Sequence, residues 1–216
     1  RYSDYLFAPG RSADKNLRSK KMKSVVVDTG YNTGKDTLLL TLNTNKGLDR
    51  ADSNHYLLVT LHRLETISNK KNLGALVKYI FEISGSFHET RFFMHKPTEN
   101  ALKRSNLFND IKKINNINIY PLLPYNEFIK QLNSCTAIVT DGGSIQEEAY
   151  YLNKPCLVLR KRTERQEGIG KNAKLMSGDV EKDTQFLKQR PSYGRKFDKF
   201  EPFYATNTIL NTLSFT

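Results

Sequence analysis

The sequence predicts an α/β fold built on a parallel sheet. Short apolar runs recur along the chain, each is nearly continuous rather than alternating, and helical patterns separate most of them. Continuous apolar runs suit strands buried on both faces, and strands alternating with helices form a parallel sheet through right-handed crossovers. At 216 residues the chain fits one large domain, or one domain with part of another.

Taken in order, the strand-like runs are residues 5–8 (YLFA), 25–28 (VVVD), 56–60 (YLLVT), 91–94 (RFFM), 117–120 (INIY), 136–140 (TAIVT) and 155–159 (PCLVL). The first two flank one basic helix, predicted at 12–23, and DTGYNTGKDTLL then reads as a connection punctuated by Gly and Asn. Two strands do not make a domain. Residues 1–36 are therefore expected to be the tail of a preceding domain plus a hinge, with a sheet edge that needs covering. Residues 37–190 form the main domain, and 191–216 a C-terminal segment with a terminal helix. In the main domain Leu73, Leu76, Val77, Ile80 and Phe81 share one stripe of a helix predicted at 71–84. Phe128, Ile129 and Leu132 do the same at 126–133, and a further helix is expected over 145–152.

A hydrophobic content of 38% supports an ordinary core, and no stretch approaches the roughly 20 apolar residues of a membrane span. The opening RYSDYLF has neither the order of a signal peptide nor an initiator Met, so the chain is expected to be cut from something longer. Cys135 and Cys156 lie in apolar runs and read as buried free thiols of a cytoplasmic protein rather than a disulfide or metal pair. No metal or cofactor is expected. The net charge of +12 attracts polyanions, whether nucleic acid, a phosphorylated small molecule or an anionic surface. The scattered lysines equally suit solvated helix faces.

The stretch TDGGSIQEEAYYLNKPCLVL, from Thr140 to Leu159, carries the functional signal. Open parallel sheets bind ligands beyond the carboxyl ends of their strands. There Gly142 and Gly143 permit close backbone approach, and Ser144 is placed to cap the following helix. The start of such a helix is an anion site. Glu147 and Glu148, in its first turn, favour the dipole, and one of them turned inward can accept hydrogen bonds from sugar hydroxyls. An ordinary capped strand–helix turn explains the same residues. His62, Arg63 and Glu65 follow one predicted strand end, His95 and Lys96 another, and Arg160, Lys161, Arg162 and Arg165 a third. A cationic rim around a helix start suits a diphosphate, although each loop alone also reads as a solvated turn. Tyr125 and Phe128 open another loop on that edge; an exposed aromatic there can stack on a base, or Phe128 can be plain helix core.

VTLHRLET, MHKP, LLPYNEF, TDGGSIQEEAYYLNKPCLVLR and RTERQEG together resemble, in order and spacing, the UDP-N-acetylglucosamine 2-epimerase family over about residues 5–175. The resemblance implies the Rossmann-like C-terminal domain of a two-domain, glycosyltransferase-B-type fold. It implies that Gly142, Gly143 and Ser144 bind the diphosphate of UDP, Glu148 the ribose hydroxyls, and Phe128 the uracil. Arg165 would line the nucleotide pocket, and His62, with Arg63 beside it, would lie by the phosphates as a functional histidine. His95 matches a second motif histidine. The loop reads Gly-Gly-Ser where the family usually reads Ser-Gly-Gly, and Leu61 and Leu64 stand where Gly and Arg are usual. The family's acid/base carboxylates lie upstream of the region matched, so the chain is expected to bind UDP without turning over alone. The family also makes a homodimer an expected partner.

Three other functions fit parts of this pattern. A glycosyltransferase of the same fold would grip a nucleotide diphosphate in the same place. A non-catalytic UDP-sugar-binding module would need no carboxylates. A nucleic-acid-binding protein would use the positive charge, but the chain shows no recognisable nucleic-acid motif, so no nucleic-acid partner is expected.

Overall fold

The structure, a computed structural model, describes residues 3–44, 55–189 and 203–214. Residues 191–202 and 215–216 of the expected C-terminal segment lie outside the described residues. The chain divides into two compact units, one of residues 1–46 with 197–216 and one of residues 47–196.

In the first unit β1 (Tyr5–Ala8) and β2 (Val25–Asp28) pair in parallel, Tyr5 opposite Val25. The connecting helix α1 (Arg11–Ser19) stops short of the predicted end at 23. Lys21 takes a positive φ of 47°, a conformation that ends a helix. The stretch read as an irregular connection contains a helix, α2 (Thr33–Thr44). The Asn32 side chain accepts the Gly34 N–H at its start, and Leu38 and Leu39 are buried. The capping Asn and the buried pair outweigh the cost of one glycine in the first turn. The terminal helix α10 (Tyr204–Ser214) is tied to α2, because the buried Asp36 carboxylate accepts from Thr206 N (2.8 Å) and Oγ1 (2.7 Å).

The second unit holds a six-stranded parallel sheet in the order β5-β4-β3-β6-β7-β8. Its strands are β3 (Tyr56–Leu61), β4 (Glu89–Met94), β5 (Ile117–Pro121), β6 (Ala137–Thr140), β7 (Cys156–Val158) and β8 (Ala173–Leu175). Every residue of β3, β6 and β7 is buried, as their continuous apolar character requires. The strand β8 carries no such run. Its three residues, Ala-Lys-Leu, pair with β7, so the ladder rather than the pattern places it.

The helices α3 (Leu64–Ile67), α4 (Lys70–Ser84), α5 (Lys96–Arg104), α6 (Phe108–Lys112), α7 (Tyr125–Ser134), α8 (Gly143–Tyr151) and α9 (Val180–Lys188) complete this unit. The α4 helix is capped by Asn69, which accepts from Asn72 N, and buries Leu73, Val77, Ile80 and Ile83. Asp183 of α9 is fully buried. It accepts from Tyr79 Oη (2.6 Å), Ser177 N and Oγ (2.8 Å each), and pairs with Lys174 Nζ at 2.7 Å. Burial works to raise the Asp183 carboxyl, but the hydrogen bonds from Lys174, Tyr79 and Ser177 outweigh it and hold the group below its ordinary value. Cys135 and Cys156 are free and buried; burial pushes both thiols up, Cys135 to about 12, which suppresses thiolate reactivity. No helix among the described residues is long and apolar enough to cross a membrane.

The strand order decides where a ligand can sit. The chain runs outward from β3 through β4 to β5, then returns to β6 on the opposite side of β3. That reversal is a topological switch point, and the crevice beyond such a point is where open parallel sheets bind ligands.

Candidate functional site

The two loops at the switch point are those carrying His62 and Asp141. Thr60 and Thr140 are register partners on β3 and β6, and their hydroxyls meet at 2.7 Å. Thr140 Oγ1 also accepts the Gly142 N–H at 2.9 Å, which turns the chain from strand to helix. Asp141 is wholly buried. Its carboxylate accepts the backbone N–H groups of His62 and Arg63, each at 3.0 Å, and Oδ1 lies 3.4 Å from His62 Nδ1. Buried carboxylates persist only with such partners. The two loops are thereby locked to each other.

The first glycine of the loop is needed for space, and the second eases a close contact. Gly142 has an ordinary extended backbone (φ −91°, ψ 130°), but a Cβ there would stand 2.4 Å from His62 Cε1 and 3.1 Å from Nε2. A Cβ on Gly143 would meet Arg165 Cγ at 3.1 Å and Glu164 Oε1 at 3.2 Å. His62 and Arg165 thus both lie against the start of α8. The first intrahelical acceptor is Gly142 O, taken by Gln146 N, so the N–H groups of Gly143, Ser144 and Ile145 have no acceptor within the helix.

Two expectations about this turn are corrected. Gly142, not Ser144, is the N-cap, and no side chain caps the helix; Ser144 sits exposed in the first turn. Because the helix begins at Gly143, Glu147 and Glu148 lie beyond that turn, which contains no acidic residue. Their roles are set by contacts instead. Glu147 is buried and pairs with Arg165 at 3.3 Å. Glu148 accepts from Tyr125 Oη at 3.0 Å. Burial pushes the Glu148 carboxyl up to about 7, the Tyr125 hydrogen bond opposes the rise, and the neighbouring Glu147 charge adds to it.

The other candidates fall around this centre in different ways. His95 is the N-cap of α5, and its ring stacks on His62 with centroids 5.2 Å apart. Burial, then the neighbouring His62, hold the His95 imidazole below its ordinary value, against the pull of Asp141. Arg63 pairs with Glu65 at 3.1 Å and Glu164 at 3.4 Å, and Arg160 pairs with Glu164 at 2.7 Å. The cationic rim is therefore interleaved with carboxylates, and the Arg160 hydrogen bond is the largest influence holding Glu164 down to about 2. Phe128 is buried, 9% exposed, with its ring edge-on to Phe93 at 5.5 Å. Tyr125, three residues earlier on α7, is the more exposed aromatic at 38%.

Two positioning residues escaped sequence reading. One is the Asp141 side chain, whose only signal was an acid directly after an apolar run. The other is Gln146, fully buried. Its Nε2 donates to the carbonyls of Arg165 (3.1 Å) and Glu167 (3.0 Å), and its Oε1 accepts from Thr163 (3.0 Å). Gln146 so holds the loop that delivers Arg165, a contact nothing in its neighbourhood in sequence signals. Among the described residues no group of three or more His, Cys, Asp or Glu side chains is arranged to hold a metal ion.

Known proteins resemble this chain over most of its length. The family model for UDP-N-acetylglucosamine 2-epimerase matches residues 1–200. A UDP-N-acetylglucosamine 2-epimerase of Methanocaldococcus jannaschii is 34% identical over 186 residues, covering 82% of this chain and 51% of the relative. One of Methanococcus maripaludis is 31% identical over 185 residues, covering 82% and 50%. The chain thus spans about half the length of these curated relatives. The crystal structure of the M. jannaschii UDP-GlcNAc 2-epimerase in complex with UDP-GlcNAc and UDP matches with a TM-score of 0.85 at 31% identity, over 99% of this chain and 62% of that one. The parallel α/β sheet is accordingly Rossmann-like and its neighbours are of glycosyltransferase-B type. With a family match over nearly its whole length, the chain belongs to the UDP-N-acetylglucosamine 2-epimerase family.

Proposed function

We propose that this chain forms the UDP-binding half of a UDP-N-acetylglucosamine 2-epimerase, and that by itself it binds UDP without turning over the nucleotide sugar. One observation supports this most directly: His62 and Arg165 both pack against the amide-bearing start of α8 at the switch point, the first in a contact that Gly142 alone makes possible and the second in one that Gly143 eases. The M. jannaschii neighbour holds UDP-GlcNAc and UDP, and a Staphylococcus aureus neighbour, 25% identical with a TM-score of 0.71, is an MnaA–UDP co-structure.

In this reading the diphosphate lies against the amides of Gly143, Ser144 and Ile145 with the Ser144 hydroxyl, Arg63 and Arg165 nearby. Glu148 takes the ribose hydroxyls, and α7 with Phe128 walls the uracil. The reaction removes the C2 proton to a base as the C1–O bond to UDP breaks, leaving a glycal. UDP oxygen then re-adds to C1 while an acid returns a proton to the other face of C2, giving UDP-N-acetylmannosamine. Negative charge grows on the departing diphosphate, and preorganised donors at the helix start, His62 and Arg165 stabilise it there. His95 stacks behind His62. The acid/base carboxylates for C2 are those of the family's other half.

Calorimetric titration of the chain with UDP tests the binding claim: saturable one-site binding supports it, and none removes it. Incubating the protein joined to the family's other half with UDP-N-acetylglucosamine and no acceptor tests the reaction. Formation of UDP-N-acetylmannosamine supports an epimerase, whereas a strict acceptor requirement identifies a glycosyltransferase.

A further inference from the structure

We propose that Asp141 is the positioning residue that holds His62 as its Nδ1–H tautomer and leaves Nε2 as the nitrogen that meets the ligand. The inference concerns how the site is built, and its link to a diphosphate rests on the UDP reading above.

The geometry constrains the imidazole on three sides. Nδ1 is buried and has no hydrogen-bond partner among the described residues; the Asp141 Oδ1 stands 3.4 Å from it, just outside good geometry. A modest ring rotation closes that gap into a charge-assisted hydrogen bond. His95 stacks on the ring at 5.2 Å. Gly142 lies along the Cε1–Nε2 edge, the one a Cβ would strike. Asp141 cannot turn away, because its two oxygens accept the His62 and Arg63 backbone N–H groups.

A carboxylate only accepts hydrogen bonds, so the ring nitrogen facing it must carry the proton. The neutral ring then keeps its lone pair on Nε2, beside the phosphate loop. When Nε2 takes a proton, the imidazolium donates from both nitrogens, one to Asp141 and the other toward a phosphate oxygen. With the opposite tautomer, the buried Nδ1 lone pair would face a carboxylate and be repelled.

The substitution Asp141→Asn separates this role from simple loop support. With its oxygen in the Oδ2 place, within 3.3 Å of His62 N and 3.0 Å of Arg63 N, Asn still accepts both backbone N–H groups and turns its amide N–H toward Nδ1. Long-range ¹H–¹⁵N spectra of the histidine side chains distinguish the tautomers, with the His62 signals assigned by their loss in His62→Gln. The expected result is Nδ1–H for His62 in the wild type and Nε2–H in Asp141→Asn. An Nε2–H wild type, or an unchanged tautomer in the variant, overturns the proposal. Should Asp141→Asn not fold, the wild-type spectrum decides alone. Adding UDP to the same sample tests the nucleotide reading separately. If the tautomer is as expected but no His62 resonance moves at saturating UDP, Asp141 keeps its role and the UDP site is lost.

Discussion

The Glu147 carboxylate lies 3.3 Å from the Arg165 guanidinium, so the arginine that reaches the start of α8 is anchored on that same helix. Gln146, the preceding residue, holds the backbone of the Arg165 loop through two carbonyls. Side chain and backbone of one loop are thus both fixed by one turn of α8, and the proposed anion site, assembled this way, would be preorganised rather than gathered by the ligand.

Gln146→Leu is therefore expected to loosen the loop at 163–167. It strands two loop carbonyls and removes the acceptor of the Thr163 hydroxyl, which keeps only the Arg165 N–H, at about 1–3 kcal/mol for each group left buried and unsatisfied. Hydrogen exchange should rise across that loop while the β3–β6 core stays protected, and UDP affinity should fall by about tenfold, ~1.4 kcal/mol.

Gly142→Ala isolates the contact with His62. The Gly142 backbone angles suit alanine, so the fold should survive with stability changed by under about 1 kcal/mol. The new Cβ, 2.4 Å from His62 Cε1, must displace the imidazole. Thermal denaturation near the wild-type midpoint together with at least about tenfold weaker UDP binding is the expected pair of results.

Glu148 sets a pH dependence for UDP. Its carboxyl is pushed up to about 7 by burial. In the proposed site ribose hydroxyls donate to it, so binding favours the ionised form and expels a proton when the solution pH is below about 7. Affinity should therefore fall from pH 8 to pH 6. A terminal phosphate with a pKa of about 6 contributes part of that slope, and Glu148→Gln should retain only that part. Isothermal titration at several pH values in both proteins measures the difference.

Asp183 governs acid stability, away from the candidate site. Its folded value lies below that of an ordinary carboxyl because the hydrogen bonds from Lys174, Tyr79 and Ser177 outweigh its burial. The stabilisation is full above the unfolded value of about 3.9 and is lost as pH falls through the lower folded value. Asp183→Asn should cost about 3 kcal/mol at pH 7. Urea midpoints of wild type and variant should converge as the pH drops below 4.

Much of the architecture was legible in the residues. The runs at 56–60, 136–140 and 155–159 are apolar at nearly every position, and only a sheet covered on both faces accommodates that. The candidate loops follow directly, since residues after such strands must sit at the carboxyl edge. The sequence could not reveal which loops become neighbours. His62 and Asp141 are 79 residues apart and meet because β6 returns beside β3 rather than beside β5. Nor could it show that Ser144 leaves the cap to Gly142, that Phe128 turns into the core, or that glutamates interleave the arginines. The sequence by itself determined the strands other than β8, the loops that follow them and the chemical groups they carry, because burial and backbone preference act locally. Tertiary structure alone decided which groups face one another and in what protonation, because strand order, side-chain pairing and desolvation depend on neighbours distant along the chain.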